Sequence, residues 1–401
     1  MKKTMFKKMA GAAAAMAAMV MMAGCSTAAN SSNAKKGNTA SGSTMKIGVN
    51  MELSGAAAGY GDQMKQGIQL AVTQINAKGG VKINGKKYKV SAIYRDNKTT
   101  TSGSASVAAQ LANNDKVSAI VGPATTNDAT ASIPNVSKAY VAQVSPTATD
   151  PDYTVDKNGK VQPYVFRACF ENNFQGGTAA RFTTNTLKAK KVAIIADNST
   201  DYGTGLAKAF KKEFKGQIVS TQYFQEGDKD FNAILTSIKN KGFDAIYAPG
   251  YYSEIGLIVK QARQMGIKTP IIGSDGMADP KLAKIAGNSN ATDVYYTTPF
   301  STMTAATDKT VKNFMSAFKK KFNESAPTFS ALAYDSVYMV TKAAQDAKST
   351  NSADIAKSMA KIKNMKGATG TMTIDAKHNP QKSIAIEEMT NGKVVKAYSV
   401  K

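Results

Sequence analysis

Ser, Thr and Gly gather directly after short apolar runs in the first part of this chain. Met51 leads, through Glu52 and Leu53, to Ser54-Gly55 and on to Gly59-Tyr60-Gly61. Val121 is followed by Gly122-Pro123-Ala124-Thr125-Thr126-Asn127, and Val144 by Ser145-Pro146-Thr147-Ala148-Thr149. Hydroxyls beside the free N–H groups of a helix start can hold an anion, and the helix dipole favours negative charge there. Later apolar runs end in a different chemistry: Asp201-Tyr202-Gly203, Gly250-Tyr251-Tyr252-Ser253-Glu254 and Gly273-Ser274-Asp275-Gly276. Aromatic rings with a carboxylate suit an apolar group and a cation. Each piece alone has a plainer reading, because Ser or Thr before a helix is an ordinary N-cap and a strand-end Tyr is ordinary packing. Anion, cation and apolar body taken together describe a zwitterionic α-amino acid.

The same residues argue against catalysis. No Gly-x-Ser-x-Gly elbow, phosphate loop or metal-ligand cluster is present. Gly203-Thr204-Gly205 lacks the third glycine of a dinucleotide fingerprint, since Lys208 stands there. The single histidine, His378, lies in Asp375-Ala-Lys-His-Asn-Pro380, which reads as a solvated turn. Cys169, between Ala168 and Phe170, reads as a buried inert thiol. A binding protein without enzyme activity, metal or cofactor is therefore expected.

The elements that carry these residues alternate between strand and helix. Strands are expected at Lys46–Met51, Tyr88–Tyr94, Val117–Val121 and Val141–Val144. A second series follows at Val192–Ile195, Ala245–Tyr247 and Ile271–Ile272. Between them run helical stripes such as Met64, Ile68, Ala71, Val72 and Ile75, or Ile255, Ile258, Ala262 and Met265. Strands joined by helices of this length imply parallel sheets with right-handed crossovers, and two series imply two doubly wound lobes of α/β class. Ligands bind outside the carboxyl ends of such strands, which is where the polar clusters fall.

Four lysines before the apolar stretch Met9–Met22, ending in Ala23-Gly24-Cys25, form a signal segment over residues 1–24. Cys25 after Ala-Gly resembles the lipidated first residue of a bacterial lipoprotein. Residues 26–44 contain no aromatic residue and no Ile, Leu, Val or Met, so a flexible tether is expected up to a folded body beginning near Met45. Removing the four leader lysines lowers the formal net charge from +24 to +20. The lysines are spread along helix faces without aromatic interleaving, so a solvated basic surface is expected and nucleic acid is not.

From Lys46 onward the chain resembles the type I periplasmic binding proteins, specifically the leucine/isoleucine/valine-binding subunits of ABC importers. The resemblance is carried by Ile75-Asn-Ala-Lys-Gly-Gly80, Val144-Ser-Pro-Thr-Ala-Thr149, Asp201-Tyr-Gly-Thr-Gly-Leu206, Gly250-Tyr-Tyr-Ser-Glu254, Gln261-Ala-Arg-Gln-Met-Gly266 and Gly273-Ser-Asp-Gly276, in that order. It implies that Thr126, Thr149 and the backbone at Thr147 hold a ligand carboxylate. Tyr202, Tyr251 and Asp275 would surround its ammonium, and Tyr60 and Phe329 would wall the side-chain pocket. Three departures stand out. Asp275 replaces the family's glutamate, Tyr60 its tryptophan, and Thr125 one cysteine of a first-lobe disulfide.

The resemblance further implies a lipid-anchored, extracytoplasmic monomer that delivers an amino acid, branched-chain aliphatic by preference, to an ABC permease. Another small ligand (a polar or aromatic amino acid, a short amide) or a sensing role is the alternative. Three hinge strands would join the lobes near Phe166–Ala168, Thr297–Pro299 and Lys366–Thr371. Lobe one would then be 45–167 plus 299–368, and lobe two 168–298 plus 369–401.

Overall fold

The computed structural model describes residues 36–304 and 308–400. Cys25 and the signal segment lie outside the described residues. The chain starts with β1 (Thr44–Met51), α1 (Ala58–Ala77), β2 (Val81–Ile83), β3 (Lys86–Asp96) and α2 (Thr101–Asn113). It continues through β4 (Ala119–Val121), α3 (Thr126–Ala139), β5 (Ala142–Ser145) and β6 (Val165–Arg167). These strands make one sheet in the order β2-β3-β1-β4-β5-β6. Every pairing is parallel except the β2–β3 hairpin. That hairpin turns at Asn84-Gly85, both at positive φ (46° and 81°), as a tight two-residue connection requires. The central strands are buried on both faces, so they read as continuous apolar runs.

The chain then builds a second body from α4 (Asn172–Asn185), β7 (Lys191–Asp197), α5 (Asp201–Glu213), β8 (Gln217–Phe224) and α6 (Asn232–Lys239). It adds β9 (Ala245–Tyr247), α7 (Tyr252–Gln264), β10 (Ile271–Gly273), α8 (Lys281–Ala286) and β11 (Val294–Thr298). It returns to the first sheet with α9 (Lys309–Phe322), α10 (Thr328–Asp346), α11 (Ser352–Met359) and the hairpin β12 (Met365–Gly367)–β13 (Gly370–Met372). There α10 packs along α1, and α11 packs on β5. Finally β14 (Ile384–Thr390) and β15 (Lys393–Val400) complete the second sheet, in the order β15-β14-β11-β10-β9-β7-β8.

Four features differ from the sequence expectations. The last two strands run antiparallel, so the second sheet is parallel-dominated but mixed. The body begins before Met45, because residues from Lys36 dock on the first lobe. Asn38 Nδ2 donates to the carbonyls of Ala112 (2.8 Å) and Val117 (3.2 Å), and its backbone exchanges hydrogen bonds with Ser352. A segment without large apolar side chains is held there by hydrogen bonds to the carbonyls of Ala112 and Val117, to Ser352 and to the Thr350 hydroxyl.

His378 is buried rather than solvated: its ring stacks on Phe166 with centroids 4.1 Å apart, and Nδ1 lies 2.9 Å from the Val165 carbonyl. It belongs to a segment that stays with the first lobe. Ile374 N–H donates to Ile362 C=O, and Thr154 Oγ1 to Asn379 Oδ1 at 3.2 Å. The third passage between sheets therefore lies between Gln381 and Ile384, later than Lys366–Thr371. Within it Lys382, fully buried, contacts Thr369 and lies 3.9 Å from the carboxylate of Asp335 on α10. An ion pair of this kind fixes where the chain leaves the first lobe.

Candidate functional site

The carboxyl ends of the two sheets face one another across a small cavity. Tyr60, Thr126, Thr147, Tyr202, Tyr251, Asp275 and Phe329 all line it, joined by Ala124, Thr125 and Gly276. Thr149 lies just behind this wall.

The first lobe supplies the hydroxyl end. Thr126 opens α3, so its own N–H and that of Asn127 have no acceptor inside the helix. Thr126 Oγ1 accepts from Thr149 N–H at 3.3 Å. The Thr149 hydroxyl is buried with no protein partner, an arrangement that calls for an acceptor from outside the chain. Thr147 Oγ1 donates to Ala124 C=O at 2.6 Å, tying the loop after β5 to the loop after β4. The Thr147 N–H reaches Ser145 Oγ only at 3.3 Å.

The second lobe supplies rings and a carboxylate. Tyr202 and Tyr251 stack at 5.2 Å. Tyr60 stands edge-on to Tyr251 at 5.7 Å and to Phe329 at 4.8 Å, which closes the aromatic wall across both lobes. Tyr202 Oη donates to Asp275 Oδ1 at 2.6 Å, and Gln175 Nε2 donates to the same oxygen at 2.6 Å. Burial raises the Asp275 carboxyl above the usual range, and the bonds from Tyr202 and Gln175 offset only part of that. No Lys or Arg lines the cavity. Asp275 is thus a buried acid with no protein counter-charge on the cavity wall, a place that a bound cation suits.

Three contributors escape the sequence reading. Gln175 orients Asp275 from α4, whose sequence gives no signal of it. Thr125 lines the cavity; the sequence places it in the hydroxyl cluster after Val121 but gives it no ligand role of its own. Glu52, directly after β1, accepts hydrogen bonds from the loop around Ala124, and the strand-end rule that picked out Ser54 could have found it.

The comparisons fit this geometry. Residues 44–393 match the periplasmic binding protein family model. The chain is 34% identical over 331 residues to a Leu/Ile/Val-binding protein homolog of Brucella melitensis, covering 82% of this chain and 86% of that one. Among solved structures it is similar to the branched-chain amino acid transporter substrate-binding protein LivJ of Streptococcus pneumoniae in complex with isoleucine. That match has 44% identity and a TM-score of 0.84, over 89% of this chain and 99% of that one. The leucine-binding protein LivK of Thermotoga maritima matches at 30% identity and a TM-score of 0.81, over 89% and 98% of the two chains. The chain belongs to the periplasmic binding protein family, with the type I fold, and so to a class of extracytoplasmic solute-binding proteins.

Proposed function

We propose that this protein captures a branched-chain aliphatic amino acid between its lobes and hands it to an ABC permease. The observation that carries the reading is the buried, cation-less Asp275 at one end of a small aromatic-walled cavity whose other end offers hydroxyls and helix N–H groups. In this reading Thr126, Thr149 and the Thr147 backbone take the carboxylate. Asp275, with Tyr202 and Tyr251, takes the ammonium. Tyr60 and Phe329 receive the side chain.

Burying a leucine, isoleucine or valine side chain there is worth about 1.5–3 kcal/mol. A charged side chain would lose its hydration without finding a partner, at several kcal/mol. The site binds without chemistry. Cys169, the thiol nearest the hinge, is buried and pushed up to about 12, so it stays protonated. The protein acts as a monomer held to the membrane by lipid on Cys25. A thermal-shift screen of the twenty amino acids, followed by calorimetric titration, tests the assignment. Stabilisation by isoleucine, leucine or valine and none by arginine or glutamate is expected. Tight binding of a charged amino acid, with no response to the branched three, would refute it.

A further inference from the structure

Glu52 is fully buried behind the cavity wall. Its Oε2 accepts from the Ala124 N–H at 2.9 Å; its Oε1 accepts from the Thr125 N–H at 3.0 Å and the Thr125 hydroxyl at 3.2 Å. These donors belong to the stretch Ala124–Thr126 that faces the cavity. Glu52 also hydrogen-bonds a second carboxyl, that of Asp128 in the first turn of α3, which is 3% exposed. Two carboxyl groups in hydrogen-bond contact, without a cation between them, hold one proton in common.

The donor pattern says which of the two carries it. Glu52 collects three donors, whereas Asp128 has only the Thr125 hydroxyl beside it and its buried Oδ2 has no partner in the protein. An ionised oxygen in that position would be costly; an acid donating to Glu52 is not. Burial first, and the neighbouring Glu52 second, push the Asp128 carboxyl up to about 8, and burial raises Glu52 as well.

The groups that face the pair from the second lobe do not relieve it. Asp128 opens onto a side cavity shared with Asn127, Thr200, Glu226 and Tyr251, which no Lys or Arg lines. Glu226 is itself raised, by burial and then by Glu254 and Asp197. Tyr251 is held neutral by burial.

We propose that Glu52 and Asp128 are a proton-sharing positioning pair: Asp128 keeps its proton so that Ala124–Thr126 can accept a ligand carboxylate, and capture takes up a proton whenever the pair has lost it. The inference rests on the amino-acid reading given above. A ligand carboxylate beside Thr126 adds a third negative group to one short segment, and like charges favour protonation. With Asp128 ionised, its repulsion of Glu52 would act on the backbone bonds that shape the wall.

The test is calorimetric titration of isoleucine into the full chain from about pH 6 to about pH 8.8, in buffers of different ionisation enthalpy. Loss of a proton at about 8 lowers the affinity roughly fivefold to tenfold between neutral pH and the upper limit, with net proton uptake. Asp128→Asn still donates to Glu52, so it should bind near pH 7 and show a flat profile. The ligand's own ammonium titrates identically in both proteins and cancels in the comparison. Glu226→Gln removes one of the charges that raise Asp128, so it should move the slope to lower pH without abolishing it. A slope that persists in Asp128→Asn, or is absent from the wild type, overturns the proposal.

Infrared difference spectra of the ligand-free wild type against Asp128→Asn give a second readout that needs no ligand. A protonated-carboxyl band present at pH 7 and lost above about 8 supports the pair. Its absence refutes the pair even if isoleucine proves to be the wrong ligand. Conversely, failure of isoleucine to bind with the band present would refute the functional reading alone.

Discussion

Asp275 is buried between Tyr202 and Gln175 with no protein cation on the cavity wall, so the unliganded protein bears a cost that a bound ammonium would remove. Its raised carboxyl has a definite sign in the pH dependence of stability. The neutral acid is the form that folding favours. Its contribution is complete below the ordinary carboxylate range, and is lost as pH rises through the folded value. Binding an ammonium reverses the preference. Asp275→Asn should therefore act in opposite directions on two measurements made near neutral pH. Ligand-free thermal unfolding should move to higher temperature, because a buried group whose ionisation folding disfavours is gone. Isoleucine affinity should fall by about 30-fold or more, since truncating one partner of a buried charged pair costs about 2–5 kcal/mol. Unchanged calorimetric affinity would remove Asp275 from the site; a lower unfolding temperature would mean that its hydrogen bonds outweigh its charge.

Two helices of the first lobe carry the pocket's apolar wall, Tyr60 on α1 and Phe329 on α10, and their spacing rests on a glycine. A Cβ at Gly67 would lie 2.1 Å from the backbone oxygen of Ser330, whose hydroxyl donates to Gln63 C=O at 2.6 Å. Gly67→Ala should force the helices apart at about 1–3 kcal/mol of stability, read by thermal unfolding. It should also weaken isoleucine binding by displacing both rings, whereas a stability loss with unchanged affinity would show that the pocket tolerates the shift.

How far such elements were legible follows from their burial. β1, β4, β9 and β10 lie inside their sheets and announce themselves as apolar runs. β8 is an edge strand reading Gln217-Ile-Val-Ser-Thr-Gln-Tyr-Phe224, without clean alternation, and is invisible to that rule. The β14–β15 hairpin is half-exposed, and nothing in its sequence says that it joins the sheet antiparallel to β11. His378 and Asn38 look like solvent-facing loop residues because the partners that bury them, Phe166 and Ser352, are distant in sequence. Phe329, at the start of α10, came only from the family resemblance, but the other cavity residues were legible for the opposite reason. Strand ends are the one place where sequence position alone fixes location in the fold.

At the scale of the whole molecule, two attachments matter, the proposed one to the membrane and the one between the lobes. The first is tested by Cys25→Ser, which should move the protein from the membrane to the soluble fraction; continued membrane retention would refute lipidation at Cys25. The second consists of contacts that cross the cleft at and around the ligand cavity. Tyr60 Oη donates to Gly276 C=O at 2.5 Å, Tyr252 Oη to Ala56 C=O at 3.1 Å, and Gln63 Nε2 to Asp279 Oδ2 at 2.8 Å. Gln63 and Asp279 do not line the cavity, so their bond stabilises closure without touching the ligand. Burial raises the Asp279 carboxyl, and the Gln63 bond offsets part of that cost. Opening the lobes would return Asp279 to water. Gln63→Ala therefore penalises the closed state alone, by the roughly 1–3 kcal/mol of leaving a buried acceptor unsatisfied. Isoleucine affinity should fall about fivefold to 150-fold, mostly as faster dissociation in stopped-flow measurements, while the ligand-free unfolding temperature moves little. An equal loss of ligand-free stability would place the bond in the fold rather than in closure.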